Sequence, residues 1–229
     1  MAELKVLSTH AVVEVLNELV PAFERANGCK LSFGYAPTAV TKREIENGAA
    51  FDVAIMTRAA VDELVAHGIM LREGSAELAR CALGVSVRKG APRPDISTVD
   101  AFKRALLSAK SVVRSKDGAS GKTFEALLER LGITDAMRNK IVIGPAGRIA
   151  ELVARGEGEL AIQQVPELVP VKGADFVGPW PAELQVYTVF AAGVSAESKQ
   201  RAAAQAFVAG LAAPENAALY KAKGLEPIV

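Results

Sequence analysis

The segment Ser115–Lys122 combines residue types that suit the binding of a small anion. Its sequence, Ser-Lys-Asp-Gly-Ala-Ser-Gly-Lys, follows a short apolar run and precedes apolar residues at helical spacing. A helix should therefore begin near Ser120, which we interpret as its N-cap. The first turn of a helix carries unpaired N–H groups and the positive end of the helix dipole, so it attracts anions. Lys116 adds charge, and Gly121 permits a close approach to the backbone.

The same segment must be compared with a nucleotide-binding P-loop. Gly121-Lys122-Thr123 matches the end of the pattern G-x-x-x-x-G-K-[ST], but the position of its first glycine is occupied by Lys116. This mismatch disfavours a nucleotide site. An ordinary loop before a capped helix and an anion site both remain open.

Three strand–turn–helix units at the start of the chain predict an α/β fold. Apolar strands at Leu4–Leu7, Leu31–Tyr35 and Phe51–Met56 are each followed by a polar turn and a helical pattern. Such units form a parallel sheet with right-handed crossovers, and ligands bind at the carboxyl edge of its strands. A solvated turn at Thr57 and a surface position for Arg58 are the alternatives for two of the residues concerned. The residues expected at this edge are Thr9, His10, Thr38, Thr57 and Arg58.

The middle of the chain predicts a second lobe. A strand at Cys81–Val87 runs into the Pro- and Gly-containing segment 88–94, and a long β run at Leu184–Val194 should return the chain to the first lobe. Ala-rich helices at Glu197–Leu211 and Glu215–Lys223 should then pack on lobe one. We therefore expect a two-lobed fold in which each lobe is a mostly parallel sheet flanked by helices, with two crossover strands as a hinge. The expected division is 1–82 with 190–229 for lobe one and 83–189 for lobe two, with the hinge near 82–90 and 184–194.

The composition excludes several classes of partner. The chain has 229 residues and a formal charge of +1, so a basic surface for nucleic acid is not expected. Apolar runs are too short for the roughly 20 residues of a membrane span. The two cysteines lie near apolar segments and are expected to be buried free thiols, and the two histidines match no zinc motif. We expect a monomer with no cofactor and no metal.

The order of these motifs resembles the molybdate-binding periplasmic proteins and the wider type 2 solute-binding proteins of ABC transporters. The likeness covers nearly the whole chain. Its main carriers are the N-terminal strand, the run Glu44–Val53 that matches "Q-I-x-x-G-A-P-A-D-V", Ala119-Ser120-Gly121 in place of Pro-Ala-Gly, and Val153–Gln164 in place of "V-x-x-G-E-A-D-A-G-I-V-Y". The resemblance implies the two-lobed fold and a solute bound between the lobes.

Transferred position by position, the resemblance implies a pocket formed from five places. The family's ligand serine falls on Ala11, so a hydroxyl is missing there, and its tyrosine falls on Gln164. Amide, imidazole and guanidinium groups near these places favour a planar carboxylate over molybdate. The pocket residues that the resemblance adds or supports are Ser8, Thr9, His10, Pro37, Thr38, Lys116, Ala119, Ser120, Gly121, Ala146, Arg148, Gln163 and Gln164.

Three functions follow as hypotheses. The first is a solute-binding protein that captures a small anion, with an organic di- or tricarboxylate favoured, for an ABC permease. The second is an isomerase on the same scaffold that acts on a tricarboxylate such as aconitate, with His10 as the base. The third is a cytoplasmic sensor of the same ligand. Residues 1–3 do not resemble a leader, so the protein is expected to be periplasmic if a leader was removed and cytoplasmic if Met1 is the native start.

Overall fold

A computed structural model describes residues 2–228, and the chain divides into two compact units. Unit 1 comprises the residues up to Arg80 and those from Thr188 onward, and unit 2 comprises Cys81–Tyr187. Each unit is a mixed β-sheet flanked by helices, which confirms the α/β class. Among residues 2–228, no helix combines the length and the apolar character that crossing a membrane requires.

Unit 1 contains the three predicted strand–turn–helix units. Its elements are β1 (Ala2–Ser8), a 3-10 turn (His10–Val12), α1 (Val13–Asn27), β2 (Cys29–Tyr35), α2 (Thr38–Glu46), β3 (Val53–Thr57), α3 (Arg58–Ala66) and β4 (Ala76–Cys81). The chain later returns to the same unit. The returning elements, labelled in chain order after those of unit 2, are β10 (Thr188–Val194), α9 (Arg201–Leu211), a 3-10 turn (Pro214–Asn216), α10 (Ala217–Ala222) and β11 (Glu226–Pro227).

The six-stranded sheet of unit 1 has the order β11-β4-β10-β3-β1-β2. Strand β1 pairs in parallel with both β2 and β3, and Ser8 at its end lies opposite Tyr35 at the end of β2. This parallel trio is the one that the apolar runs predicted. Strand β10 is antiparallel to β3, so the sheet is mixed. The carboxyl ends of β1, β2 and β3 therefore share one edge, and a helix begins just after each of them.

Unit 2 is built around a five-stranded sheet. Its elements are β5 (Leu83–Arg88), α4 (Val99–Ser108), β6 (Val112–Ser115), α5 (Ala119–Arg130), α6 (Thr134–Met137), a 3-10 turn (Arg138–Lys140), β7 (Ile141–Gly144), α7 (Ile149–Ala154), β8 (Leu160–Gln164), α8 (Val165–Leu168) and β9 (Ala174–Pro179). The strand order is β7-β6-β8-β5-β9. Strands β7, β6 and β8 are parallel, and β5 is antiparallel to β8 and β9. Residues beyond the ends of β6, β7 and β8 thus lie at a second carboxyl edge.

Two predicted strands have different bounds. The predicted strand Cys81–Val87 is divided at Ala82, because β4 belongs to the sheet of unit 1 and β5 to that of unit 2. The predicted run Leu184–Val194 is extended only from Thr188. Before that point the side chain of Gln185 forms hydrogen bonds with the backbone of Leu83. It accepts from the Leu83 N–H at 2.8 Å and donates to the Leu83 carbonyl at 3.0 Å. A side chain thus replaces a strand partner at this position.

The cores follow from the sequence pattern. Every residue of β3 except Thr57 is buried, as expected of a strand covered on both faces. Unit 2 packs Trp180 against the rings of Phe102 and Phe124, with centroids 5.7 and 6.1 Å apart. Cys29 and Cys81 are both buried and, within residues 2–228, neither belongs to a disulfide, as predicted.

Asp52, which belongs to the run Glu44–Val53 that carries the family resemblance, has a structural role. Its carboxylate accepts from the Lys5 N–H at 2.9 Å and from the Ser198 hydroxyl at 2.6 Å. The Asp52 N–H donates to the Lys5 carbonyl at 2.8 Å, and its carbonyl accepts from the Ser195 N–H at 2.9 Å. The residue therefore connects the start of β3, β1 and the segment after β10.

Candidate functional site

The carboxyl edge of unit 1 brings together most of the residues predicted there. Ser8 ends β1 fully buried, and its hydroxyl donates to the Thr9 carbonyl at 3.3 Å. Thr9 is also buried and precedes the 3-10 turn that begins with His10. The Ala36 N–H donates to the Ser8 carbonyl at 3.0 Å, which fixes the turn after β2 beside the turn after β1. The first and second predicted turns are thus neighbours.

Thr38 connects the second and third turns. Pro37 is the N-cap of α2, and Thr38 is the first residue of that helix. The Thr38 hydroxyl accepts from the N–H of Thr57, the N-cap of α3, at 3.3 Å. This bond holds the beginnings of α2 and α3 together at the edge of the sheet.

Two of the helices at this edge, α2 and α3, start without an acidic residue. Within the described chain, neither of their N-cap residues, Pro37 and Thr57, accepts a capping hydrogen bond with its side chain. The first turns of both helices contain no Asp or Glu. Their N–H groups and dipole ends are therefore not neutralised by a carboxylate of the same helix, which favours an anion.

His10 contacts an aromatic residue that sequence reasoning missed. The centroids of the His10 and Tyr35 rings lie 6.1 Å apart at an angle of 38°. Tyr35 in turn stacks on Phe33 at 5.7 Å, and burial raises the pKa of the Tyr35 phenol. The signal was available, because Tyr35 is the last residue of β2, where the register places it opposite Ser8.

Arg58 lies at the surface and forms ion pairs with two acidic residues. Its Nε contacts the Asp62 carboxylate at 2.8 Å, and its Nη1 contacts Glu77 at 2.7 Å. Hydrogen bonding to Asp62 is the main cause that raises the pKa of the guanidinium. The side chain is nearly half exposed, at 45%. We therefore favour the surface alternative for Arg58 and omit it from the proposed site.

The edge of unit 2 begins with the loop that follows β6. Gly118, rather than Ser120, is the N-cap of α5, so the predicted cap is wrong. Ser120 is the second residue of the helix and is buried. A Cβ on residue 118 would lie 2.4 Å from the Ser115 hydroxyl oxygen, and one on residue 121 would lie 2.0 Å from the Ser115 carbonyl oxygen. Both glycines are therefore needed for this turn to pack on Ser115.

The other predicted residues of unit 2 lie at the ends of the same parallel strands. Lys116 and Ala119 are exposed beside the α5 N-cap. Ala146 is half-buried in the turn after β7, and Arg148 is exposed at the start of α7. Gln163 and Gln164 end β8 and are both buried. The first turn of α5, like those of α2 and α3, contains no acidic residue.

Two residues at this edge were not among the predicted site residues. Ser115 ends β6, and its side chain is buried. Glu167 in α8 accepts a hydrogen bond from the Gln163 amide, and burial raises the pKa of its carboxyl to about 7. Nothing local in the sequence distinguishes Glu167, because its environment is created by the packing of α8 on β5, β8 and β9.

The fold and the two carboxyl edges define a class of protein, and comparison with known families agrees. Residues 4–226 match the model of the bacterial extracellular solute-binding protein family, and the chain belongs to that family. The predicted kinship with periplasmic solute-binding proteins of the molybdate-binding type is thereby confirmed.

Individual relatives carry different names. An aconitate isomerase from a Pseudomonas species is 36% identical over 98% of this chain and 88% of its own length. The molybdate-binding protein ModA of Azotobacter vinelandii is 26% identical over 97% of this chain and 89% of its own. The solved structure of the periplasmic molybdate-binding protein of A. vinelandii superposes with a TM-score of 0.80 at 20% identity, covering 97% of this chain and 98% of that one. The sulfate-binding protein SubI of Mycobacterium tuberculosis gives a TM-score of 0.80 at 18% identity, with coverage of 100% and 88%.

Proposed function

We propose that the protein binds a small organic anion with two or three carboxylates, in preference to a molybdate-type oxyanion. The observation that carries this proposal is the start of α2, α3 and α5 at carboxyl edges of parallel strands, each with no acidic residue in its first turn. Such helix starts favour negative charge through their N–H groups and their dipoles. We propose that these helix starts bind the carboxylates of the ligand.

The side chains at the edges support a carboxylate ligand. Gln164 stands where the molybdate-binding proteins have a tyrosine, and Ala11 stands where they have a serine. His10 and Gln163 add an imidazole and an amide, whose N–H groups can donate to planar carboxylate oxygens. The 36% identical relative is named for a tricarboxylate, and the 26% identical relative for molybdate.

As a member of this family the protein would act outside the cytoplasm. We propose that it delivers its ligand to an ABC permease. The ligand must then be released at the permease, so the binding groups have to be neutral donors and helix ends that can exchange with water. The hydroxyl of Thr38, which is half-buried, meets this requirement.

A thermal-shift panel tests the ligand class. Purified protein is melted with trans-aconitate, citrate, succinate, molybdate, tungstate or sulfate. A ligand present at a hundred times its dissociation constant adds about 2.7 kcal/mol of stability. For a chain of this size this corresponds to an increase in Tm of roughly 5–11 °C. The proposal expects this increase with a di- or tricarboxylate. An increase with molybdate or tungstate alone would contradict it.

A second candidate function is isomerisation of a tricarboxylate, and the 36% identical aconitate isomerase favours it. In such a reaction a base removes a proton from the CH₂ carbon of aconitate, the electron pair spreads over the allylic system, and a proton is returned at its other end. The proton count is unchanged, and the double bond shifts by one position. His10, held against Tyr35, is the proposed base, and the helix starts would stabilise the developing negative charge on the carboxylates.

Hydrogen exchange separates binding from catalysis. Trans-aconitate is incubated with the protein in D₂O, and exchange of its carbon-bound hydrogens is followed by NMR. The isomerase hypothesis expects exchange that is lost in His10→Gln and retained in His67→Gln, a matched control at the C-terminal end of α3. Binding without exchange in the unmodified protein would leave the solute-binding function alone. Exchange that persists in His10→Gln would remove His10 from the mechanism.

A further inference from the structure

Two buried polar atoms at the edge of unit 2 are notable. Among residues 2–228, neither the Ser115 Oγ nor the Gln163 Oε1 has a hydrogen-bond partner, although both residues are only 1% exposed. Buried polar atoms are normally paired, so each such exception requires an explanation.

The two atoms belong to neighbouring positions of the sheet. Strands β6 and β8 pair in parallel with Val113 opposite Ala161, and both residues pack in the same apolar cluster on one face of the sheet. Because side chains alternate between faces with a period of two, Ser115 and Gln163 follow on that same face. They therefore end adjacent strands side by side at the carboxyl edge that we assign to ligand binding.

Gln163 offers an anion the wrong end of its amide while Glu167 is ionised. The Gln163 Nε2 donates to the Glu167 Oε2, and this contact leaves the carbonyl end as the unpartnered one. An amide carbonyl accepts hydrogen bonds and repels a carboxylate, whereas an amide NH₂ donates two. A rotation of the amide by 180° would exchange the two ends.

We propose that Glu167 is a positioning residue that determines which end of the Gln163 amide faces the bound anion. When a proton from solvent binds the Glu167 carboxylate, its new O–H donates to the Gln163 Oε1. The amide turns over, and its NH₂ becomes available to the ligand. Ligand binding then takes up one proton, which is returned to solvent on release. This inference rests on the proposed function, because it requires an anion at the edge of unit 2.

The surroundings of Glu167 allow this proton to bind near neutral pH. Burial raises the pKa of its carboxyl to about 7, although the hydrogen bond from Gln163 lowers it, and the residue as a whole is half-buried. The elements that pack on α8 carry three charged side chains, Arg88 on β5, Glu151 on α7 and Asp175 on β9. Glu151 lies 3.8 Å from Arg155, and Asp175 accepts from the Gly90 N–H at 3.1 Å. Arg88 is exposed beside Gly156.

Calorimetry with trans-aconitate tests the inference, or with molybdate if only molybdate binds. Titrations at pH 6 and pH 8 in two buffers of different ionisation enthalpy give the affinity and the number of protons taken up. The ligand's own titration is common to all variants and cancels when Glu167→Gln is compared with the unmodified protein. At pH 8 about one tenth of the unmodified protein has Glu167 protonated, so it should bind the ligand about tenfold more weakly than Glu167→Gln does. At pH 6 the affinities of the two proteins should be nearly equal. On binding the ligand at pH 8, the unmodified protein should also take up about 0.9 more protons than Glu167→Gln does.

Two further variants separate positioning from a merely structural role. Gln163→Met removes the amide through which Glu167 acts, so it should abolish the proton uptake even if Glu167→Gln fails to fold. Glu151→Gln on the adjacent helix is the matched control and should leave the uptake unchanged. If ligand binds with the same pH dependence and proton count in the unmodified protein, Glu167→Gln and Gln163→Met, this inference is overturned while the proposed function stands. If no anion binds, the proposed function fails and this inference with it.

Discussion

The carboxyl of Glu167 should impose a pH-dependent loss of stability that Glu167→Gln removes. Its pKa is 4.5 in an exposed chain and about 7 in the fold, because burial disfavours the charged form. A raised pKa means that the folded protein binds the proton more tightly than the unfolded chain does. The contribution to stability is therefore complete below pH 4.5 and is lost as the pH rises through 7.

The size of the effect follows from the shift. Each pKa unit corresponds to 1.36 kcal/mol, and most of the shift is expressed between pH 5 and pH 8. We expect the free energy of unfolding of the unmodified protein, relative to Glu167→Gln, to fall by about 2 to 3 kcal/mol over this interval.

Fluorescence of the single tryptophan provides the assay. Trp180 is buried in unit 2 between Phe102 and Phe124, so its emission reports the unfolding of the unit that contains Glu167. Urea titrations at pH 5, 6, 7 and 8 give the difference at equal m-values. Glu151→Gln serves as the control. A difference that stays constant within about 0.5 kcal/mol from pH 5 to pH 8 would refute the reasoning, because it would mean that water reaches the carboxyl in solution.

Three further variants test other parts of the account. Ser120→Pro deletes one N–H in the first turn of α5, where proline is tolerated, and should weaken anion binding tenfold or more in calorimetry while Tm changes little. Asp52→Ala removes the two hydrogen bonds of a carboxylate that connects β1, β3 and the segment after β10, and should lower the free energy of urea unfolding by about 2 kcal/mol. Arg58→Ala breaks only exposed ion pairs, and anion affinity should remain within about twofold. Unchanged affinity in Ser120→Pro, unchanged stability in Asp52→Ala or a large loss of affinity in Arg58→Ala would each contradict the corresponding assignment.

The elements that sequence predicts well are those with local causes. The strand–turn–helix units of unit 1 follow from short apolar runs, polar turns and Gly28, which ends α1 with φ of 61°. Thr98 caps α4, and its hydroxyl accepts from the Ala101 N–H three residues later at 3.1 Å. In both cases the interacting groups are close in the chain, so a short window of sequence contains the whole interaction.

The parts that sequence reasoning missed depend on partners that are distant in the chain. Gly118 and Ser120 are both acceptable N-caps, and the close packing of the turn on Ser115 decides between them. The ion pair of Arg58 with Glu77 spans 19 residues. The environment of Glu167 arises only when α8 packs on three strands. Such features require the register of the sheet, which the apolar pattern of a single strand does not contain.

The central claim is that helix starts at the carboxyl edges of parallel strands bind a small carboxylate anion. Calorimetric titration of trans-aconitate into the unmodified protein, Thr38→Val and Ser120→Pro tests it most directly. The account predicts weaker binding in each variant, because Thr38→Val removes a hydroxyl at the start of α2 and Ser120→Pro removes an N–H at the start of α5. Undiminished binding in either variant, or binding of molybdate with no binding of any carboxylate, would contradict the account.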